Sequence, residues 1–346
     1  GWNRFCDATF ESCIVKEIEF DATGSLGGGE SLIRSNGRFE IEDNVFNFPD
    51  PSTASPMNFR AINTTLEFHR NTLILSSSST AMACRIYGTT VAEGGSQAWY
   101  ANVTGNRFFG NLSGAPIELG GGLISDTSAN NKAPWTQTSG LLFERNTVTN
   151  DNVAGRLMNI YNGSNGAQIN DNYMRQGIVG QVTNVHGVYV YAEDVTVTNN
   201  RIQGQIMCFN PGIKIDNNII VAALNQAILL GGNAGGSTVQ GGGNDYCITN
   251  NVLVGEFAAL DDYAWNGAYP TNLGDLVATI DNNIYLRTDL STAGPLRLDG
   301  TYYSSSATAR TKWATWGNAG NATNSQFDYF GDSELLRSID LAVVCN

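Results

Sequence analysis

Two short stretches place carboxylates beside glycine-rich or aromatic segments: "PIELGGGLISD" with Glu118 and Asp126, and "ALDDYAWNGAY" with Asp261 and Asp262. Paired carboxyls are the machinery of glycoside hydrolysis. They stand about 5.5 Å apart in retaining enzymes and about 6.5–9.5 Å apart in inverting ones. Glu118, Asp126 and Asp261 are therefore the candidate catalytic acids, with Glu118 and Asp126 the pair to test first. Neighbours along a strand point to opposite faces, so only one of Asp261 and Asp262 can serve. Glu193 and Asp194 form a further acidic doublet, of which Glu193 is a candidate binding residue.

Elimination chemistry needs another set: a basic residue, and acidic ligands or a calcium ion to neutralise a uronate. Arg156 and Lys132 supply cationic candidates, and Arg156 can meet a carboxylate in a bidentate pair. No cluster of aspartates on successive strands offers a calcium cage, so calcium is not supported and no metal or cofactor is expected. His69 and His186 are isolated, with His69 alternating against Phe68, and both read as structural. Aromatic residues with polar edges suit pyranose rings. Tyr161, Trp135, Trp265 and Tyr269 are the binding candidates, joined by Tyr87 and Tyr191.

These residues need a scaffold, and the chain writes one repeatedly. "FEIEDNVF", "LEFHRNTLIL", "ANVTGNRFFG", "LLFERNTVTN", "AQINDNYMRQ", "VTVTNNRIQG", "IKIDNNIIVA", "YCITNNVLVG" and "ATIDNNIYL" share one pattern. Each alternates apolar and polar residues at period two, turns at an Asn, and resumes. The Asn positions are 44, 71, 106, 146, 172, 200, 218, 251 and 283, with gaps of 18 to 40 residues. Recurrence on that scale signals a solenoid, propeller or array. Period two signals strands, and the Gly-, Asn-, Ser- and Thr-rich gaps signal turns. The shortest gap cannot hold a four-stranded propeller blade but fits one coil of a β-helix. An all-β parallel β-helix of nine or more coils is therefore predicted. The Asn is expected to take the left-handed corner and to stack on its counterparts every ~4.8 Å in a hydrogen-bonded ladder.

The nine phrases resemble the coils of right-handed parallel β-helices of the pectate-lyase-like superfamily. That group includes polysaccharide lyases, polygalacturonase-type hydrolases and phage tailspikes. The resemblance covers roughly residues 30–300 and is specific for fold, while one solenoid hosts many activities. It implies that the strand before the Asn is the second of each coil, the strand after it the third, and the next apolar run the first strand of the following coil. First strands are then expected at 83–88, 116–121, 156–162, 187–192, 205–210, 227–232, 257–262 and 295–300. In enzymes of the family this first-strand face forms the polysaccharide groove. The segments 120–138 and 261–277 leave that face from coils expected to lie about four apart. They would wall a trough ~20 Å long, room for about four sugars.

Composition narrows the class. Nineteen Lys and Arg against 32 Asp and Glu give a net charge of −13, which disfavours a nucleic-acid partner. No run of 18 apolar residues spans a membrane, and no leader opens the sequence. The six cysteines are too scattered for a disulfide scaffold. Cys84, Cys208 and Cys247 read as buried hydrophobes, and Cys6 and Cys13 are spaced to close a small loop. Residues 1–300 are assigned to the β-helix and 301–346 to an irregular C-terminal capping segment, resembling the tails of bacterial β-helix proteins. The sequence shows no capping helix ahead of its first rung, so the expectation is either that the chain is processed from, or a piece of, something larger, or that its N-terminal end docks on a partner, as in a homotrimer or larger surface assembly.

Three function classes follow. The first is an extracellular, cell-surface or virion β-helix of tailspike or adhesin type that recognises, with or without cleavage, a polysaccharide. The second is a free secreted polysaccharide lyase or hydrolase. The third is a structural β-helix that builds a surface layer. Five glycosylation sequons do not separate them, because so Asn-rich a chain produces about that many by chance.

Overall fold

The computed structural model describes residues 6–7, 12–17, 19–21, 33–35, 38–48, 57–61, 65–76, 84–87, 99–120, 139–152, 155–161, 164–176, 187–210, 212–230, 245–259, 279–288, 296–298, 301–303, 306–315 and 326–330. They form a right-handed parallel β-helix of three faces. The second face is a ten-stranded sheet running from Ser12–Lys16 to Thr279–Asp281. The first and third faces are joined because Ile219–Leu230 and Val252–Ala259 run from one to the other without a break.

Alternation builds the core. On the second face Ile41, Phe68, Val103, Phe143, Ile169, Val197, Ile215, Ile248 and Ile280 lie in one register column. All of them are at most 1% exposed. Val195 and Ile213, two residues earlier in their coils, are buried as the period-two pattern requires. Cys84 and Cys208 occupy inward slots, and burial pushes both thiols up. Cys247 departs from expectation. It precedes the inward Ile248, so alternation turns it outward and it is only half-buried.

The ladder has a more specific geometry than the sequence suggests. Each Asn Oδ1 accepts two bonds from the preceding Asn. For Asn106 the donors are the Asn71 backbone N–H at 2.8 Å and its Nδ2 at 3.1 Å. The same pattern runs from Asn44 to Asn283. Each Nδ2 also donates back one coil, as Asn71 does to the Ile41 carbonyl at 2.8 Å. The corner itself is turned by the residue before the Asn. Asp43, Arg70, Gly105, Arg145, Asp171, Asn199, Asn217, Asn250 and Asn282 hold positive φ of 52–67° and are exposed. The ladder Asn is therefore not the left-handed residue. A left-handed residue throws its own side chain outward, and only the next one can point in.

At the C-terminal end Thr301–Tyr303 pairs antiparallel with Leu296–Leu298. Helix Ser306–Thr315 buries Trp313 completely, and Gln326–Phe330 adds a parallel strand beside Ile284–Thr288. No helix among the described residues is long and apolar enough to cross a membrane.

Two stability predictions follow from this architecture. Asn200→Ala removes the acceptor of the Asn172 backbone N–H and the donor to the Ile169 carbonyl, while the Asn172 Nδ2 keeps the Phe143 carbonyl and the Asn218 Oδ1 keeps the Asn200 N–H. At about 1–3 kcal/mol for each of these two buried groups, the cost should be about 2–6 kcal/mol. Asn199→Gly keeps the left-handed corner at the neighbouring exposed position and should cost less than about 1 kcal/mol. Denaturant unfolding of the two variants compares them directly, and equal losses would remove the ladder's special standing. Ile215→Ala should cost about 2–5 kcal/mol in the same assay. A near-zero effect would contradict the inward register of the second face.

Candidate functional site

The expected first strands are present in register at Cys84–Tyr87, Ile117–Leu119, Met158–Ile160, Val188–Val190, Ile206–Cys208, the ends of the two long strands, and Leu296–Leu298. Earlier coils contribute Cys6–Asp7, Ile33–Ser35 and Met57–Ala61, which sequence reading did not place on this face. The strands ending at Leu119 and Ala259 are five coils apart rather than about four, tracing Glu118, Asn159, Tyr189, Met207, Leu229 and Ala258.

In each short strand the outer two residues point inward and the middle one outward. Ile117 and Leu119 are buried in the core, so Glu118 projects from the outer side, between Arg85 of the coil before and Asn159 of the coil after. One residue beyond the strands lies a second outward column: Gly120, Tyr161, Tyr191 and Phe209. Backbone bonds of 2.7–2.9 Å, such as Tyr161 N–H to the Leu119 carbonyl, carry the pairing that far.

The aromatic rings of this column stack. Tyr161 and Tyr191 have centroids 5.2 Å apart at 9°, and Tyr191 and Phe209 are 4.4 Å apart at 2°. Tyr189 meets Tyr191 edge-on at 6.2 Å. The Arg156 guanidinium lies 4.2 Å from the Tyr189 ring centroid, and its Nη1 reaches the Asn159 Oδ1 at 3.4 Å. Gly120 permits the arrangement. It has φ of +148°, and a Cβ there would sit 2.8 Å from the Tyr161 Cβ.

Glu118 is buried beneath this surface, 0% exposed. Its Oε1 accepts from Asn159 Nδ2 at 2.8 Å and from the Tyr161 hydroxyl at 3.1 Å. Its Oε2 lies 3.4 Å from Arg85 Nε, an ion pair rather than a well-aligned hydrogen bond. Burial pushes the Glu118 carboxyl above its ordinary range, and the Arg85 charge and the donated bonds oppose that only in part. Burial, then the Glu118 charge, raises Tyr161, and burial raises Tyr191 against the Arg156 charge. Both phenols therefore stay protonated at neutral pH.

The structure thus brings together Glu118, Arg156 and Tyr161. Glu193 sits apart in the turn after Tyr191, its N–H donating to Asn165 Oδ1 and its carbonyl accepting from Gly166. Among the described residues no hydrogen bond or ion pair joins its carboxylate to Glu118. Asp126, Trp135, Asp261, Trp265, Tyr269, Lys132 and His186 lie outside the described residues. Sequence reading missed Arg85, Asn159, Tyr189, Phe209 and Gly120. The signal was present, because "CRIY", "IELG", "MNIY", "VYVY" and "IMCF" place them in the same two slots of successive coils.

No second carboxylate joins Glu118 among the described residues, so the acid–base pair of a glycosidase is not assembled from them. No group of three or more potential metal-ligating side chains gathers there either. On the second face His69 lies between Thr104 Oγ1 at 2.6 Å and Glu67 Oε2 at 2.9 Å. The neighbouring Gly105 and Arg70 amides are already hydrogen-bonded to backbone carbonyls, leaving neither free for an oxyanion. That trio braces the sheet surface. No family model, curated protein or solved structure matches the chain.

Because the Glu118 pKa is raised on folding, the folded state holds that proton more tightly than the unfolded chain does. The contribution favours folding below the ordinary carboxylate range and is lost as pH rises through the raised value. The stability of the wild type relative to Glu118→Gln should therefore be greatest at acid pH, decline with rising pH, and then level off. Denaturant midpoints of both proteins between about pH 4 and about pH 8 check this, and a difference that grows with pH refutes it.

Proposed function

We propose that this chain is a polysaccharide-recognising β-helix of the extracellular or virion surface, resembling the pectate-lyase-like superfamily, and that it reads its ligand along the first face. The observation that carries this reading is the Tyr161–Tyr191–Phe209 column flanked by Arg156. The rings face each other along the solenoid axis, so a ligand meets their edges and hydroxyls. Tyr161, Tyr191 and Arg156 are half-buried, which leaves them partly open to a ligand yet held in place. Among the described residues the Arg156 guanidinium has no carboxylate partner, although the protein carries net charge −13. A cation so placed suits an acidic sugar unit.

Binding of immobilised neutral and acidic polysaccharides to the intact chain, followed by interferometry, tests the proposal. Arg156→Ala should weaken binding of an acidic polymer about 10- to 100-fold, the scale of a lost charge-assisted hydrogen bond. Tyr191→Ala should weaken acidic and neutral ligands alike. Retention of no polysaccharide, or affinity unchanged by both substitutions, defeats the reading. Reducing ends and unsaturated products measured in the same samples separate recognition from cleavage.

A further inference from the structure

We infer that Glu118 is a positioning residue: its buried carboxylate dictates which way the Asn159 amide and the Tyr161 hydroxyl point, and so which hydrogen-bonding groups the first face offers a ligand. The inference rests on the reading of this face as a glycan surface, but its first step is independent of any glycan.

An ionised carboxylate can only accept hydrogen bonds. Both groups on Glu118 Oε1 must therefore donate. Asn159 turns its NH2 toward Glu118, which leaves its Oδ1 facing Arg156 Nη1. That acceptor helps hold the guanidinium against the Tyr189 ring. Tyr161 directs its proton at Glu118, so its oxygen meets a ligand as an acceptor. The Arg156 charge also acts on the Tyr191 phenol, against the effect of burial. Of the two stacked tyrosines, Tyr161 is thus the one whose hydroxyl polarity Glu118 fixes.

The charges facing this network are Arg85 from the preceding coil, Arg156 ahead of the following strand, and the phenols of Tyr161 and Tyr191. With both phenols protonated, Glu118 is the carboxyl among them, and burial raises its hold on a proton above the ordinary carboxylate range. Protonation of Glu118, or Glu118→Gln, gives position 118 a donor. The Asn159 amide and the Tyr161 hydroxyl are then free to reverse. Because Gln has the shape of Glu, a residue that merely filled space would tolerate the exchange silently.

Fluorine NMR of the protein labelled with fluorotyrosine tests the first step without a ligand, the Tyr161 resonance being assigned from Tyr161→Phe. In the wild type that resonance should shift in one protonation step above the ordinary carboxylate range. In Glu118→Gln it should be displaced at neutral pH and show no such step. A Tyr161 resonance that behaves identically in both proteins overturns the inference. Should Glu118→Gln fail to fold, the wild-type titration alone decides, and a flat Tyr161 resonance overturns it. For each polysaccharide that the wild type retains, Glu118→Gln should lower affinity several-fold, and unchanged affinity counts against a role in recognition. If the resonance behaves as expected and no polysaccharide is retained, the glycan reading fails while the positioning of Tyr161 stands.

Discussion

The coil-to-coil bond through the asparagine corner is the interaction on which the rest of the structure depends. Asn71 shows the whole arrangement. Its backbone N–H and Nδ2 both reach Asn106, its Oδ1 receives both donors of Asn44, its Nδ2 also holds the Ile41 carbonyl, and its own carbonyl accepts from Arg107. Every polar group of one residue is engaged across three coils. Asp lacks the donor, Ser lacks the second donor, and Gln is a methylene too long. The requirement explains why the residue type repeats while the gaps between copies range from 18 to 40 residues. With the corner fixed, length differences between coils are absorbed elsewhere and the strands keep their register.

This constraint also decides what a single sequence reveals. Period-two alternation and one invariant residue type are local signals, so the coils, the inward residues and the first strands from residue 83 onward were legible. The division of labour at the corner was not. A pattern such as "DN", "RN", "GN" or "NN" does not say which member is left-handed. Exposure settles it, because a site occupied by Asp43, Arg70 and Arg145 alike has to face solvent. Cys247 was misjudged for a related reason. An apolar residue beside an inward isoleucine lies on the other side of the sheet, and composition of the surrounding run hides that.

The site was half legible. Glu118, Arg156 and Tyr161 stood out by type, but their relation did not, since the bonds joining Glu118 to Asn159 and Tyr161 span 41 and 43 residues. Burial of the carboxylate was still less accessible. It depends on Tyr161 reaching over a neighbouring coil, which in turn depends on Gly120 having no Cβ. A carboxylate of apparent acid–base type can thus be read from a motif, while its role is set by whether neighbours on the adjoining coils close over it.

Alternation finally explains why such a site can exist on so uniform a scaffold. On the first face the inward slots hold Ile117, Met158, Val188 and Ile206, close equivalents that keep the core continuous. The outward middle slot holds Arg85, Glu118, Asn159, Tyr189 and Met207 in succession, a passage from charge to polarity to apolar surface along the axis. Because adjacent residues face opposite sides, each outward position can change without altering what its neighbours bury. Core positions answer to the coils above and below, and outward positions answer to whatever lies against the face. The concentration of arginine, carboxylate, amide and stacked phenols in a few adjoining coils is therefore a property that folding alone does not require.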